Sequence, residues 1–89
     1  MIEEKLAIIN KLGLHARAAA KLVGVATQYE SQIRLLKDGR EADAKSIMSV
    51  MMLAASQGTE LDVQIHGPDA SDAWNALLTL VQDRFGEAE

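Results

Sequence analysis

Apolar and polar positions along this chain change period several times, and each change marks an element. Residues 2–9 place Leu6 and Ile8 on one face and Lys5 and Ala7 on the other, which predicts a first strand. The stretch from Asn10 to Gly13 breaks it. Over residues 16–28 the apolar positions Ala19, Leu22, Val23 and Ala26 recur at helical spacing, while Arg17, Ala20, Lys21, Gly24 and Gln28 fall on the opposite stripe. One face of this predicted helix suits a core; the other is small, mildly basic and free to meet a partner.

Residues 32–37 alternate again through Ile33 and Leu35, and Asp38-Gly39 is a strong hairpin signal before a short return strand over residues 40–44. Ser46 then precedes the apolar run Ile47-Met48-Ser49-Val50-Met51-Met52-Leu53, which predicts a short helix with that serine as its N-cap, ending before Gly58. Glu60 to His66 alternates cleanly, with Leu61, Val63 and Ile65 on one face and His66 at the surface. Gly67-Pro68-Asp69 stops this strand. A last helix is predicted over residues 70–84, with Trp74, Leu77, Leu78, Val81 and Phe85 as its core stripe. The order is β-α-β-β-α-β-α, which suits an α+β open-faced sandwich: an antiparallel sheet covered by helices on one face and open to water on the other.

The 89 residues fit one small domain and leave no room for a second. Cysteine is absent, so disulfides and thiolate metal sites are excluded. No acidic cluster with metal-ligand spacing and no glycine-rich nucleotide loop occurs, so neither a metal nor a cofactor is expected. The only aromatic residues are Trp74, Tyr29 and Phe85, too few for the stacking platforms of single-strand nucleic-acid binders. A formal net charge of -4 opposes duplex nucleic acid and anionic membranes as partners. Met1-Ile2-Glu3-Glu4-Lys5 is no targeting leader and no apolar run matches a bilayer, so a cytoplasmic protein is expected. The tail Gly86-Glu87-Ala88-Glu89 is expected to fray.

The candidate chemistry lies in Lys11-Leu12-Gly13-Leu14-His15-Ala16-Arg17-Ala18-Ala19-Ala20. A turn marked by glycine followed by strong helix formers puts His15 where backbone N–H groups have no partner inside the helix, a place that attracts anions. Neutral imidazole is a competent nucleophile, so a phosphate held at that place would lie against a reactive side chain. The amides of Ala16, Arg17 and Ala18 lie at that mouth and could hold the oxygens of such an anion, with the Arg17 guanidinium close by to pair with its charge. From spacing alone, His15 reads equally well as a helix-start residue without chemistry. Arg17 could be a solvated first-turn residue, yet a cation there opposes the helix dipole, which favours an anion partner.

The order of elements, with Gly13-Leu14-His15-Ala16-Arg17 after the first strand and Lys45-Ser46-Ile47-Met48 opening the short helix, resembles the HPr family. These are the histidine-containing phosphocarriers of the bacterial phosphotransferase system. The resemblance spans the whole chain as one domain of residues 1–89 and includes Val50-Met51 and Gly67-Pro68-Asp69. It implies a sheet of four antiparallel strands and a monomeric, stoichiometric carrier that is not itself a catalyst. By the same resemblance, Nδ1 of His15 accepts a phosphoryl group from enzyme I, which draws it from phosphoenolpyruvate, and passes it to an enzyme IIA. Arg17 corresponds to the arginine that assists transfer, and Ser46 to a serine that a dedicated kinase phosphorylates in some bacteria. An N-cap role alone accounts for Ser46 equally well. Ile47, Met48 and Met51 could be core residues, whereas the family implies that some are exposed and form a docking patch with Ala20 and Gly24.

Three positions depart from the family pattern. Ala18 stands where proline is usual, Leu12 where a small polar residue is common, and Ser49 where glycine is more frequent. Alanine at position 18 keeps the helix and gives up rigidity in the turn. Ser49 puts kinase use of Ser46 in doubt. A rival from another class is a regulatory interaction module of a nitrogen-related or incomplete phosphotransferase branch, switched by phosphorylation at His15 or Ser46. A small ligand-binding domain would need a concave apolar pocket that this pattern does not supply.

Overall fold

A computed structural model describes residues 1–89. Its elements run β1 (Ile2–Ala7), α1 (Ala16–Ala26), β2 (Gln32–Lys37), β3 (Arg40–Asp43), α2 (Ile47–Met52), β4 (Glu60–His66) and α3 (Ala70–Gln82), followed by a 3-10 turn at Arg84–Gly86. The strands form one antiparallel sheet in the order β1-β4-β2-β3. This is the expected open-faced α+β sandwich.

Pairing register explains why one face of the sheet is covered. Leu6 lies opposite Leu61, Ile65 opposite Ile33, and Val63 opposite Leu35, which in turn faces Ala42. All seven are buried beneath the helices. The intervening positions point to water and alternate in charge. Lys5 Nζ donates to Asp62 at 2.6 Å, and Arg34 Nη1 donates to Glu41 at 3.0 Å. Such cross-strand pairs sit directly opposite or diagonal on a pleated sheet, so they reinforce the register without being buried. The β2–β3 hairpin turns on Asp38 and Gly39, both with positive φ (51° and 79°), the geometry a two-residue hairpin requires.

Helix α1 buries Ala18, Ala19, Leu22, Val23 and Ala26, and ends two residues earlier than its pattern suggests. In α3 the stripe is rotated from the expected one. Ala70, Ala73, Leu77 and Val81 are buried, whereas Trp74 and Leu78 are half-buried at its margin. Small residues at positions 70 and 73 let the helix approach the sheet closely, which leaves the larger Trp74 at the rim.

Two features outside the regular elements hold the ends of helices in place. The Asp69 carboxylate, just before α3, accepts from the Ser31 hydroxyl at 2.5 Å and from the amides of Glu30 and Ser31 at 2.9 and 3.0 Å. The Ser31 hydroxyl and then the Glu30 amide hold Asp69 below the ordinary carboxylate range. Before α1, Gly13 has φ +66°, and a Cβ there would fall 2.5 Å from the carbonyl oxygen of Ala55. Only glycine lets this loop lie against the segment after α2.

The tail does not fray. Helix α3 stops, and Arg84 and Phe85 both turn through the left-handed region with φ near 55°. Phe85 thereby enters the core almost fully buried, and residues 86–89 run back across the start of α1. Two left-handed non-glycine residues cost about 1–2 kcal/mol each. Burial of Phe85 contributes about 1.5–3 kcal/mol, and a hydrogen bond from Lys21 Nζ to the Phe85 carbonyl at 2.6 Å adds about 1–2 kcal/mol. These contributions offset the strain.

Stability should respond to these contacts in opposite directions at the two glycines. Gly13→Ala is expected to lose about 3 kcal/mol or more in urea unfolding because strain and a backbone clash combine. Gly24→Ala, with nothing within 4 Å of the added methyl, is expected to gain about 1 kcal/mol. For Asp69, a depressed folded-state pKa means that the unfolded chain binds more protons at intermediate pH, so stability rises with pH. This contribution is complete above the ordinary carboxylate pKa and disappears as pH falls through the lower folded value. Asp69→Ala should therefore lower the melting temperature at neutral pH, with the gap to the parent protein narrowing in acid when both are followed by circular dichroism.

Candidate functional site

His15 sits at the N-cap of α1 in an extended conformation, with φ -73° and ψ 177°. Its carbonyl accepts from the Ala19 amide at 2.8 Å and opens the helix, while its ring makes no capping bond. The loop before it is pinned at three points. Leu14 is buried and its amide donates to the Ala55 carbonyl at 2.8 Å. The Gly13 amide closes a turn onto the Asn10 carbonyl at 3.2 Å. The Asn10 side-chain amide, fully buried, donates to the Gly13 carbonyl at 2.9 Å. These contacts aim the imidazole away from the core, and its side chain is 27% exposed.

The amides of Ala16, Arg17 and Ala18 donate to no acceptor in the chain, as expected for a first turn. Arg17 is exposed and forms no ion pair. Ala18 is buried by its methyl yet retains the amide proton that proline would lack. The four residues expected at the phosphate site therefore share one helix mouth.

The ring also has a neighbour that its local sequence does not reveal. Nε2 of His15 is in a close hydrogen bond with the Glu87 carboxylate, whose other oxygen accepts from Asn10 Nδ2 at 2.9 Å. The Asn10 amide, followed by the His15 ring, holds Glu87 below the ordinary carboxylate range. The strap that carries Glu87 is secured on both sides. Lys21 of α1 binds the Phe85 carbonyl on one side. On the other, the Lys11 amide donates to the Glu89 carbonyl at 2.8 Å and its ammonium lies 3.4 Å from the Glu89 carboxylate.

Helix α2 packs beside α1 and presents an apolar surface. Val50 faces the core, whereas Ile47, Met48 and Met51 are exposed, so the three candidate docking residues lie at the surface with Ala20 and Gly24. Met52, 69% exposed, extends this apolar surface beyond the positions expected, and Leu12, in the loop before α1, is 67% exposed. Ser46 caps α2 by accepting from the Ser49 amide at 3.4 Å. At the other end of α2, Arg40 Nη1 donates to the Met52 carbonyl at 3.3 Å, and Lys37 Nζ to those of Leu53 and Ala54 at 3.0 and 3.2 Å.

Comparison with known proteins decides the family. A family model described as "PTS HPr component phosphorylation site" matches residues 2–83. The chain belongs to the HPr family. It is 52% identical to the phosphocarrier protein HPr of Cupriavidus necator over 89 residues, which is all of both chains. A crystal structure of HPr from Thermoanaerobacter tengcongensis superposes with a TM-score of 0.95 over all of both chains at 43% identity. An HPr dimer from the same organism gives a TM-score of 0.79 at 44% identity, covering 98% of this chain and 100% of that one. The protein is accordingly an HPr-type phosphocarrier of the phosphotransferase system. No helix is long and apolar enough to cross a membrane.

The division of α2 into a packed and an open side gives a direct test in this HPr. Val50→Ala should cost about 2 kcal/mol of unfolding free energy. Met48→Ala should change it by less than about 0.5 kcal/mol. Chemical denaturation of both variants checks the assignment.

Proposed function

We propose that this HPr accepts a phosphoryl group on Nδ1 of His15 from phosphorylated enzyme I and delivers it to enzyme IIA components. The observation that carries this reading is the placement of a partly exposed imidazole at the mouth of α1, beside three amides without acceptors and the unpaired guanidinium of Arg17. Phosphoryl transfer depends mainly on positioning and charge stabilisation, and this arrangement offers both.

Nδ1 attacks phosphorus as the bond from phosphorus to the donor breaks and its electron pair returns to the donor. The amides of Ala16, Arg17 and Ala18 meet the phosphoryl oxygens, and Arg17 follows the charge as it shifts between donor and acceptor. A lysine at position 17 would keep the charge and lose the planar fork. The exposed Ile47, Met48 and Met51, with Ala20 and Gly24, form the face on which partners dock; flexible methionines suit a surface that fits different partners in turn. Ser46 is already used as a cap, so a kinase acting on it would have to release that bond.

Incubation with phosphoenolpyruvate and enzyme I should label the protein with acid-labile phosphate, and His15→Ala should abolish the label while melting like the parent. Label retained on His15→Ala would refute the reading. Arg17→Ala should still dock and should slow transfer by about 100-fold or more, measured by rapid quench.

A further inference from the structure

The carboxylate of Glu87 engages Nε2 of the very ring whose other nitrogen, Nδ1, has no partner in the chain. A neutral imidazole carries one proton and one lone pair, and the hydrogen bond at one nitrogen decides which nitrogen holds each. A carboxylate held ionised can only accept here, so it keeps the proton on Nε2 and leaves the lone pair on Nδ1. The carboxylate is itself oriented. Asn10 Nδ2 binds its second oxygen, the Glu87 side chain is 15% exposed, and the buried Phe85 with the Lys21 contact fixes the strap from which it projects.

We propose that Glu87 is the positioning residue of the phosphoryl acceptor: delivered by the C-terminal strap, it selects the Nε2-protonated tautomer of His15 and so prepares Nδ1 as the nucleophile. This inference rests on the phosphocarrier reading of His15. When Nδ1 forms its bond to phosphorus and the donor's bond to phosphorus breaks, with that electron pair returning to the donor, the Nε2 proton stays between ring and carboxylate. The ring then bears positive charge, and Glu87 faces it. Loss of the carboxylate removes both the tautomer bias and this compensation. Glutamine at position 87 can still accept the Nε2 proton through its amide oxygen but supplies no charge, so the two effects separate.

The test uses the full chain with ring-labelled histidine. Long-range 1H–15N correlation at mildly alkaline pH should show His15 of the parent protonated at Nε2, Glu87→Ala a mixture of tautomers, and Glu87→Gln a return toward the Nε2 form. Transfer from phosphorylated enzyme I should slow by about tenfold or more in Glu87→Ala, with Glu87→Gln between it and the parent. A purely structural role for the strap would lower the melting temperature without moving the ring nitrogens. If the parent labels at His15 and Glu87→Ala matches it in tautomer or in rate, the Glu87 role is overturned while the carrier reading stands. If the parent takes no label from enzyme I, the carrier reading falls and this inference with it.

Discussion

A single buried amide joins the two ends of this chain. Asn10 Nδ2 donates both to the Gly13 carbonyl in the turn before α1 and to Glu87 near the C-terminus. The first bond shapes the turn that presents His15; the second orients the carboxylate that meets its ring. Asn10 is fully buried, so its bond to Gly13 is shielded from bulk water, the bond to Glu87 is partly so, and loss of either partner would strand an amide proton in the interior. The geometry around the imidazole thus depends on contacts between segments far apart in sequence, with the sheet as their common foundation.

That foundation is asymmetric by design of the residue pattern. Aliphatic rows on the helix side bury against α1 and α3, while the other face carries opposite charges across neighbouring strands. A rigid layer on one side and solvent on the other leave the helix mouths at an edge of the molecule, where a macromolecular partner can reach them. On the proposed carrier reading, a reactive atom at such an edge suits transfer between macromolecules, in contrast to the enclosed pocket that suits a small substrate.

Much of this was legible in the residues themselves. Strict alternation between flanking glycines makes β4 coincide with its expected bounds, and Asp38-Gly39 marks its hairpin because few residues tolerate two successive positive φ angles. The helix mouth at His15 was equally readable, since a glycine turn and a run of helix formers are local signals. Periodicity was less reliable at α3. It placed Phe85 on a continuing helical stripe, whereas Phe85 reaches the core through a left-handed turn. Glu87 was hidden for a different reason. It lies 72 residues from His15 in a short stretch whose composition reads as solvated, and only the burial of the preceding phenylalanine brings it back. The role of Asn10 was hidden likewise, because asparagine before a glycine turn is explained locally without a distant partner.

The anchoring of α2 has its own consequence. Six residues are too few for a helix to persist unaided, yet the Lys37 and Arg40 cations of the neighbouring hairpin hold its terminal carbonyls. Its backbone is therefore fixed while the thioether side chains of Met48, Met51 and Met52 stand exposed above it. On the proposed docking reading, a partner would meet a surface able to conform by rotamer changes, so the entropy lost on contact would be confined to a few side chains and unlike surfaces could be accommodated without remaking the fold.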